Sequence, residues 1–246
     1  MLFQSTTVKL YLMKKVNFLL ACSLALLMSC TVTEVSTISR ETSGTSLTDI
    51  HVEDYFIDVL TDFAEFLPEK DESIMDNAIS TFSSQLASSN SASGVQAVKT
   101  SDNDYTLYFD YSSFQNLAAE LSGNSNQSII KQEKGKLSFY VDINNYTELE
   151  AVVPFLADPN IEVFLAKYNI GYSEEDYLDM IVFSLGEEAP ESLQNSYITI
   201  DLKLPGNVLT VNGAQKTSSN SIRYSFRLID FLLLSSPLKF DVSWKV

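Results

Sequence analysis

The chain reads as an α+β protein in which antiparallel β-hairpins and a C-terminal antiparallel sheet pack with several short helices. Three observations carry that reading. Near the C-terminus Ile198, Ile200, Leu202 and Leu204 alternate with Thr199, Asp201 and Lys203, the period-two pattern of a strand with one buried and one wet face. Between residues 53 and 67 the period changes: Phe56, Val59, Leu60, Phe63, Phe66 and Leu67 recur at three and four, with Asp54, Asp58, Asp62 and Glu65 on the opposite side, as in an amphipathic helix. Turn residues punctuate the extended runs, at Ser101-Asp102-Asn103-Asp104, Lys134-Gly135 and Asn212-Gly213, which marks hairpins.

Taken in order, residues 31–40 are rich in Thr and Val and read as a strand or a tether, and a turn ending at Gly44 leads to a second extended run at 47–52. The amphipathic helix ends at Pro68. A second helix, with Asp71 as its cap, carries Ile74, Ala78, Phe82 and Leu86 on one stripe and stops in the Ser/Asn-rich residues 88–93. Strands at 94–100 and 105–111 form a hairpin. Phe114, Leu117, Ala118 and Leu121 then make a short helix closed by Gly123.

A third hairpin spans 129–143, with Leu137, Phe139, Val141 and Ile143 on one side. Three short helices follow at 145–186. The first has Asn145 and Glu148 at capping-box spacing and carries Leu149, Val152 and Val153; the second restarts at Asp158-Pro159 with Ile161, Phe164, Leu165 and Tyr168. The third begins at Ser173 with Asp176 and carries Tyr177, Met180, Ile181 and Leu185 to Gly186. After the 198–204 strand, Pro205-Gly206 turns the chain, Ile222, Tyr224 and Phe226 alternate with Arg223 and Ser225, and Leu238, Phe240, Val242 and Trp244 close the sequence.

The N-terminal region supplies an address. Lys14 and Lys15 precede a short apolar run at 16–28, and Ser29 puts a small residue directly before Cys30. This resembles the bacterial lipobox, in which the cysteine is acylated and becomes the first residue. About 13 apolar residues reach only about 20 Å as a helix, short of the ~30 Å hydrocarbon core. Residues 1–29 therefore read as a signal peptide whose true start is Met13, residues 30–45 as a lipidated N-terminus with a tether or first strand, and residues 46–246 as one α+β domain with an α-rich insert at 145–186.

The C-terminal part, roughly 197–244, resembles LppM-like bacterial lipoprotein domains: a strand ending in Pro205-Gly206, then Val208 and Asn212-Gly213, then strands closing on Trp244. The resemblance implies an α+β fold in a lipid-anchored envelope protein, with envelope glycolipid binding in some members. Many such domains continue into a C-terminal membrane helix, whereas this sequence stops at Val246. No catalytic residue follows from the resemblance.

Composition removes several functions. The chain holds 16 basic and 32 acidic residues, for a formal charge of −16. Only Lys9, Lys14 and Lys15 precede Cys30, so cleavage there raises the imbalance to 13 against 32. A polyanion would be repelled, so no nucleic-acid partner is expected. An anionic membrane surface would also repel the domain, which leaves attachment to acyl chains at ~0.8 kcal/mol per buried CH₂. The two cysteines, Cys22 and Cys30, fall in the leader and at its cleavage site, so cysteine catalysis and zinc-thiolate sites are excluded.

His51 is the sole histidine, no Gly-x-Ser-x-Gly elbow accompanies it, and a strand-surface or capping role suffices for it. Asp102, Asp104 and Asp110 do not make a calcium loop, because position six from Asp102 is Leu107 rather than glycine. Glu174, Glu175, Asp176 and Asp179 suit the first turns of a helix. The run 228–234, LIDFLLL, is too short to span a bilayer and reads as a core-facing connection.

The expected function is that of a cell-envelope lipoprotein, non-enzymatic and without cofactor, held to the membrane through Cys30 and binding a lipid, a glycolipid or an envelope protein. The alternative is an envelope hydrolase or carbohydrate-active enzyme working with two carboxylates. The insert helices carry more apolar bulk than one sheet face needs, so Phe155, Phe164, Tyr168, Tyr177 and Met180 are expected to line a pocket against the C-terminal sheet.

Overall fold

The computed structural model describes residues 30–39, 42–54, 74–123, 126–157 and 161–246. The helix read at 53–68 and the cap at Asp71 lie outside them. The class is α+β: a seven-stranded mixed sheet, a four-stranded antiparallel sheet and, among the described residues, six α-helices.

The larger sheet is built around the first strand. Cys30–Ile38 (β1) pairs antiparallel with Gly44–Val52 (β2), from Cys30 against Val52 to Ile38 against Gly44, and parallel with Tyr197–Lys203 (β7). β1 is therefore interior, bonded on both sides. Ala92–Lys99 (β3) and Asp104–Tyr111 (β4) extend the sheet beyond β2, while Ser221–Arg227 (β10) and Gln215–Ser218 (β9) extend it beyond β7. Apart from the β1–β7 pair, its ladders are antiparallel.

The smaller sheet has the order Ile130–Glu133 (β5), Lys136–Val141 (β6), Leu238–Trp244 (β11), Val208–Asn212 (β8). Its aromatic side chains meet those of the larger sheet, with Tyr224 of β10 at 5.1 Å from Phe240 and 6.0 Å from Phe139, centroid to centroid. Offset and edge contacts of this kind add about 0.5–1.5 kcal/mol each beyond area burial. Trp244 is buried, at 6% exposure.

The C-terminal strands are thus divided between the sheets. Asn212-Gly213 does not close a hairpin: β8 pairs with β11, and β9 with β10. Gly213, at φ +77°, lets the chain cross from one sheet to the other, and a Cβ there would lie 2.4 Å from the Lys239 carbonyl oxygen. Turn chemistry specifies the bend locally, whereas strand partners are chosen by which side chains share a core.

The helices follow their capping signals unevenly. Ile74–Ser88 (α1) buries Met75, Ile79, Phe82 and Leu86, so its stripe lies one residue on from Ile74 and Ala78. Phe114–Ser122 (α2) is capped by the Ser113 side chain, buries all four expected residues and ends at Gly123, φ +63°. Tyr146–Val152 (α3) has no capping box. Asn145 instead turns inward, its Oδ1 accepting from the Asp142 N–H and its Nδ2 donating to the Tyr140 carbonyl, while Glu148 accepts from the Ser128 N–H and hydroxyl.

Among the described residues, the helix read from 158 is a 3₁₀ turn at Glu162–Phe164. Val163, Phe164, Tyr168 and Ile170 are β-branched or aromatic and lose χ1 freedom in a helix, and the Asn169 Nδ2 takes the Leu165 carbonyl. Glu174–Leu185 (α4) begins with the full capping box of Ser173 and Asp176. Ala189–Asn195 (α5), with Pro190 at its start, has no counterpart in the sequence reading. The LIDFLLL run forms Leu228–Leu233 (α6), which buries Leu228, Ile229, Phe231, Leu232 and Leu233.

Of these helices, α3 to α6 gather at one end. α5 leads into the start of β7, α6 leaves the end of β10 and feeds β11, and α3 leaves the end of β6. Tyr146 of α3 stacks on Phe231 of α6 at 6.0 Å. Arg227, the last residue of β10, donates to Glu174 at 2.9 and 3.0 Å and to Asp230 at 2.6 and 3.2 Å, which ties the starts of α4 and α6 to the sheet. Cys30 lies at this same helical end, because β1 and β7 run in parallel from it.

Candidate functional site

The opposite end of the two sheets is open. There the end of β1, the β5–β6 turn, the β7–β8 turn and the residues after β11 surround a cleft of about 740 Å³. Its apolar lining is Ile38, Pro205, Trp244 and Val246, and its polar lining includes Gln132, Glu133, Lys134, Asn207 and Lys245. That volume falls within the ~300–1,000 Å³ usual for small-molecule sites.

Backbone bonds hold the walls. The Trp244 N–H donates to the Gly135 carbonyl at 2.9 Å, and the Lys245 N–H donates to the Asn207 carbonyl at 2.9 Å. Two glycines permit the approach. Gly135 has φ +76°, and a Cβ on Gly206 would lie 1.8 Å from the Lys245 carbonyl oxygen. Gly206→Ala must push the β7–β8 turn off the end of β11, so a loss of about 1–3 kcal/mol is expected in urea unfolding. An unchanged midpoint would contradict this packing.

Gln132 is the distinctive wall residue. Both polar atoms of its side chain are shielded from water and, among the described residues, have no hydrogen-bond partner. Each such atom costs about 1–3 kcal/mol, a cost that a polar group in the cleft would offset once the side chain turned to meet it. Sequence reasoning missed this site because its lining comes from four segments far apart in the chain.

The residues singled out in the insert lie elsewhere. Phe164 and Tyr177 are in the core, where the Tyr177 hydroxyl donates to the Phe164 carbonyl at 2.9 Å. Met180 is partly buried and packs against that core, Tyr168 is half exposed, and the side chain of Phe155 is outside the described residues. Phe164, Tyr168, Tyr177 and Met180 do not line the cleft.

Histidine and the acids are also accounted for. His51, near the end of β2, meets Asp104 through Nδ1 at 2.8 Å, and hydrogen bonds from Ser101 and His51 hold the Asp104 carboxyl below the usual range. Among the described residues no three of His, Cys, Asp and Glu are grouped to hold a metal. Among the described residues of the cleft lining, the one acidic side chain is Glu133, set between Gln132 and Lys134.

A second polar feature lies inside the larger sheet. On the buried face of β1 the apolar residues Val32 and Ile38 bracket Glu34 and Ser36, and Glu34 is 0% exposed. Its Oε2 accepts from the Thr48 hydroxyl at 2.7 Å and its Oε1 from the Ser46 hydroxyl at 3.0 Å, both across the β1–β2 ladder. The neighbours on the other side are Ile200 and Leu202 of β7. Burial pushes the Glu34 carboxyl well up; the Thr48 and Ser46 bonds pull it partly back, and Asp49 adds to the rise. The carboxyl therefore holds its proton more tightly than a free glutamate, about 13 Å along the strand from Ile38 and the cleft.

No protein family and no curated protein matches the chain. Among solved structures, the chain is similar to the folded domain of LppM from Mycobacterium tuberculosis, determined by NMR. The identity is 8%, the TM-score is 0.37, and the likeness covers 88% of this chain and 90% of that domain. It is a weak structural relation.

Proposed function

We propose that this protein is a cell-envelope lipoprotein, acylated on Cys30, whose domain binds an amphiphile without catalysing a reaction. The observation that carries the binding half is the cleft: an apolar floor with Trp244, and at its rim Lys134 and Lys245 in a chain of net charge −16. An apolar floor suits an acyl or aryl group, and two lysines beside the unpartnered Gln132 suit a polar or anionic head. A two-carboxylate hydrolase would need a second acidic side chain near Glu133, and among the described residues no other side chain of the lining is one. Support for the anchor is the basic n-region, the short apolar run and Ser29-Cys30. Among the described residues no helix is long and apolar enough to cross a membrane.

Trp244 is the sole tryptophan and lines the cleft, so it reports occupancy directly. Titration with 9,10-dibromostearate, whose bromines quench on contact, is expected to extinguish most Trp244 emission saturably. Replacing both Lys134 and Lys245 with Glu should weaken the apparent affinity at least several-fold. Emission that does not fall as the probe is added to its solubility limit would overturn the amphiphile reading.

A further inference from the structure

Besides Val98, Tyr140, Val163 and Leu209, the exposed large apolar side chains outside the cleft fall between positions 168 and 197, in the segment around α4 and α5. Ile170 is 66% exposed, Phe183 92% and Tyr197 45%, and Tyr168, Tyr172 and Val182 are exposed beside them in sequence. A solvated surface carries such residues singly, whereas several gathered on one face make a contact surface.

The fold places this surface beside the point where the leader joins the domain. Val32 pairs with Ile198, so Thr31 and Tyr197 are neighbours across a ladder whose strands lie ~4.8 Å apart. Tyr172 lies two residues before Glu174, which Arg227 holds, and Arg227 pairs with Tyr197. The α4–α5 hairpin bearing Phe183 returns to that place, with Gln194 donating to Glu174 at 3.3 Å. Cys30 is itself paired with Val52, so no residue of slack separates the acylation position from the sheet.

We infer that the helical end, led by Ile170, Tyr172, Phe183 and Tyr197, seats directly on a lipid surface of neutral headgroups, with the cleft facing away from that membrane. The inference rests on the anchoring of Cys30 and adds the orientation of the domain. A chain that leaves the bilayer and enters a central strand at once holds that end of the domain against the lipid. Its apolar side chains are then within reach of the headgroup and acyl boundary. Charge selects the lipid: Glu175, Asp179, Glu187, Glu188 and Glu191 are exposed on the same helices and would be repelled by anionic headgroups.

The test uses the full chain, expressed with its leader, purified in detergent and reconstituted into phosphatidylcholine vesicles containing doxyl-labelled phosphatidylcholine. Phe183→Trp and Ile170→Trp are made separately, and the wild type, with Trp244 alone, is the reference. Quenching of either new tryptophan several-fold above that of Trp244 is expected, and it should weaken when anionic phosphatidylglycerol replaces part of the phosphatidylcholine. Quenching that strengthens with the anionic lipid would overturn the neutral-headgroup half. If the protein is vesicle-bound, with its Cys30 peptide carrying acyl mass, yet neither tryptophan is quenched, the seat is wrong while the anchor stands, and the surface falls to a protein partner. Protein that does not associate with the vesicles overturns both.

Discussion

Replacing Cys30 with alanine is expected to leave the precursor uncleaved by the lipoprotein peptidase and to abolish palmitate labelling altogether. On the lipobox reading the Cys30 thiol takes the lipid; Cys22 also follows a small residue, Ala21, but only six residues separate it from Lys15, fewer than the ~7–15 of a signal-peptide core. The effect is all or none because alanine has no sulfur to acylate, and the anchoring that acyl chains supply at ~0.8 kcal/mol per buried CH₂ is lost with it. Backbone pairing of position 30 with Val52 does not depend on the side chain, so the domain should still fold. An alanine variant that still labels and is still processed would end the lipobox reading.

Glu34→Gln is expected to change how stability depends on pH. Burial raises the folded carboxyl well above its ordinary value, whereas in the unfolded chain it titrates near ~4.3. Between those two values the folded state holds a proton that the unfolded state has released. Stability from this group is therefore complete below the unfolded value and is lost as pH rises towards the folded one, at up to about 1.4 kcal/mol per pH unit. Glutamine keeps an oxygen to accept from one of the Ser46 and Thr48 hydroxyls, presents an NH₂ that donates to the other, and carries no titrating proton.

The difference between the wild-type and Glu34→Gln curves isolates this group. Carboxyls held low in the folded state, such as Glu120 and Asp176, act in the opposite sense and are common to both proteins. Urea midpoints measured from acid to neutral pH should show the variant gaining on the wild type as pH rises. Parallel curves would mean that Glu34 is not a neutral core acid. Glu34→Ala should instead cost about 1–3 kcal/mol for each hydroxyl left without its acceptor.

How much of this was legible beforehand can be judged residue by residue. Ser113 and Gly123 closed α2 where the sequence placed it, and Ser173 with Asp176 opened α4, because capping is settled by groups within one turn of each other. Alternation in β7, β10 and β11 marked the buried faces, and Trp244 went inside. The lipobox expectation at Cys30, which acyl labelling tests, is likewise drawn from a few neighbouring residues.

What no local window held was partnership. Val208 to Asn212 and Gln215 to Ser218 look like a hairpin through Asn212-Gly213, yet they belong to different sheets, since each strand goes where its apolar face is covered. Glu34 looks like a polar residue on a surface strand and is a core acid, because β2 and β7 close over both sides of β1 and Ser46 and Thr48 supply its donors. The cleft joins Ile38, Gln132, Pro205 and Trp244 across more than two hundred positions. By itself the sequence determined the α+β class, the Gly123 stop of α2, the Ser173–Asp176 cap of α4 and the lipobox pattern, for these depend on period and short-range chemistry. Sheet membership, the burial of Glu34 and the place of the cleft were decided only by tertiary structure, because each depends on which distant segments exclude water together.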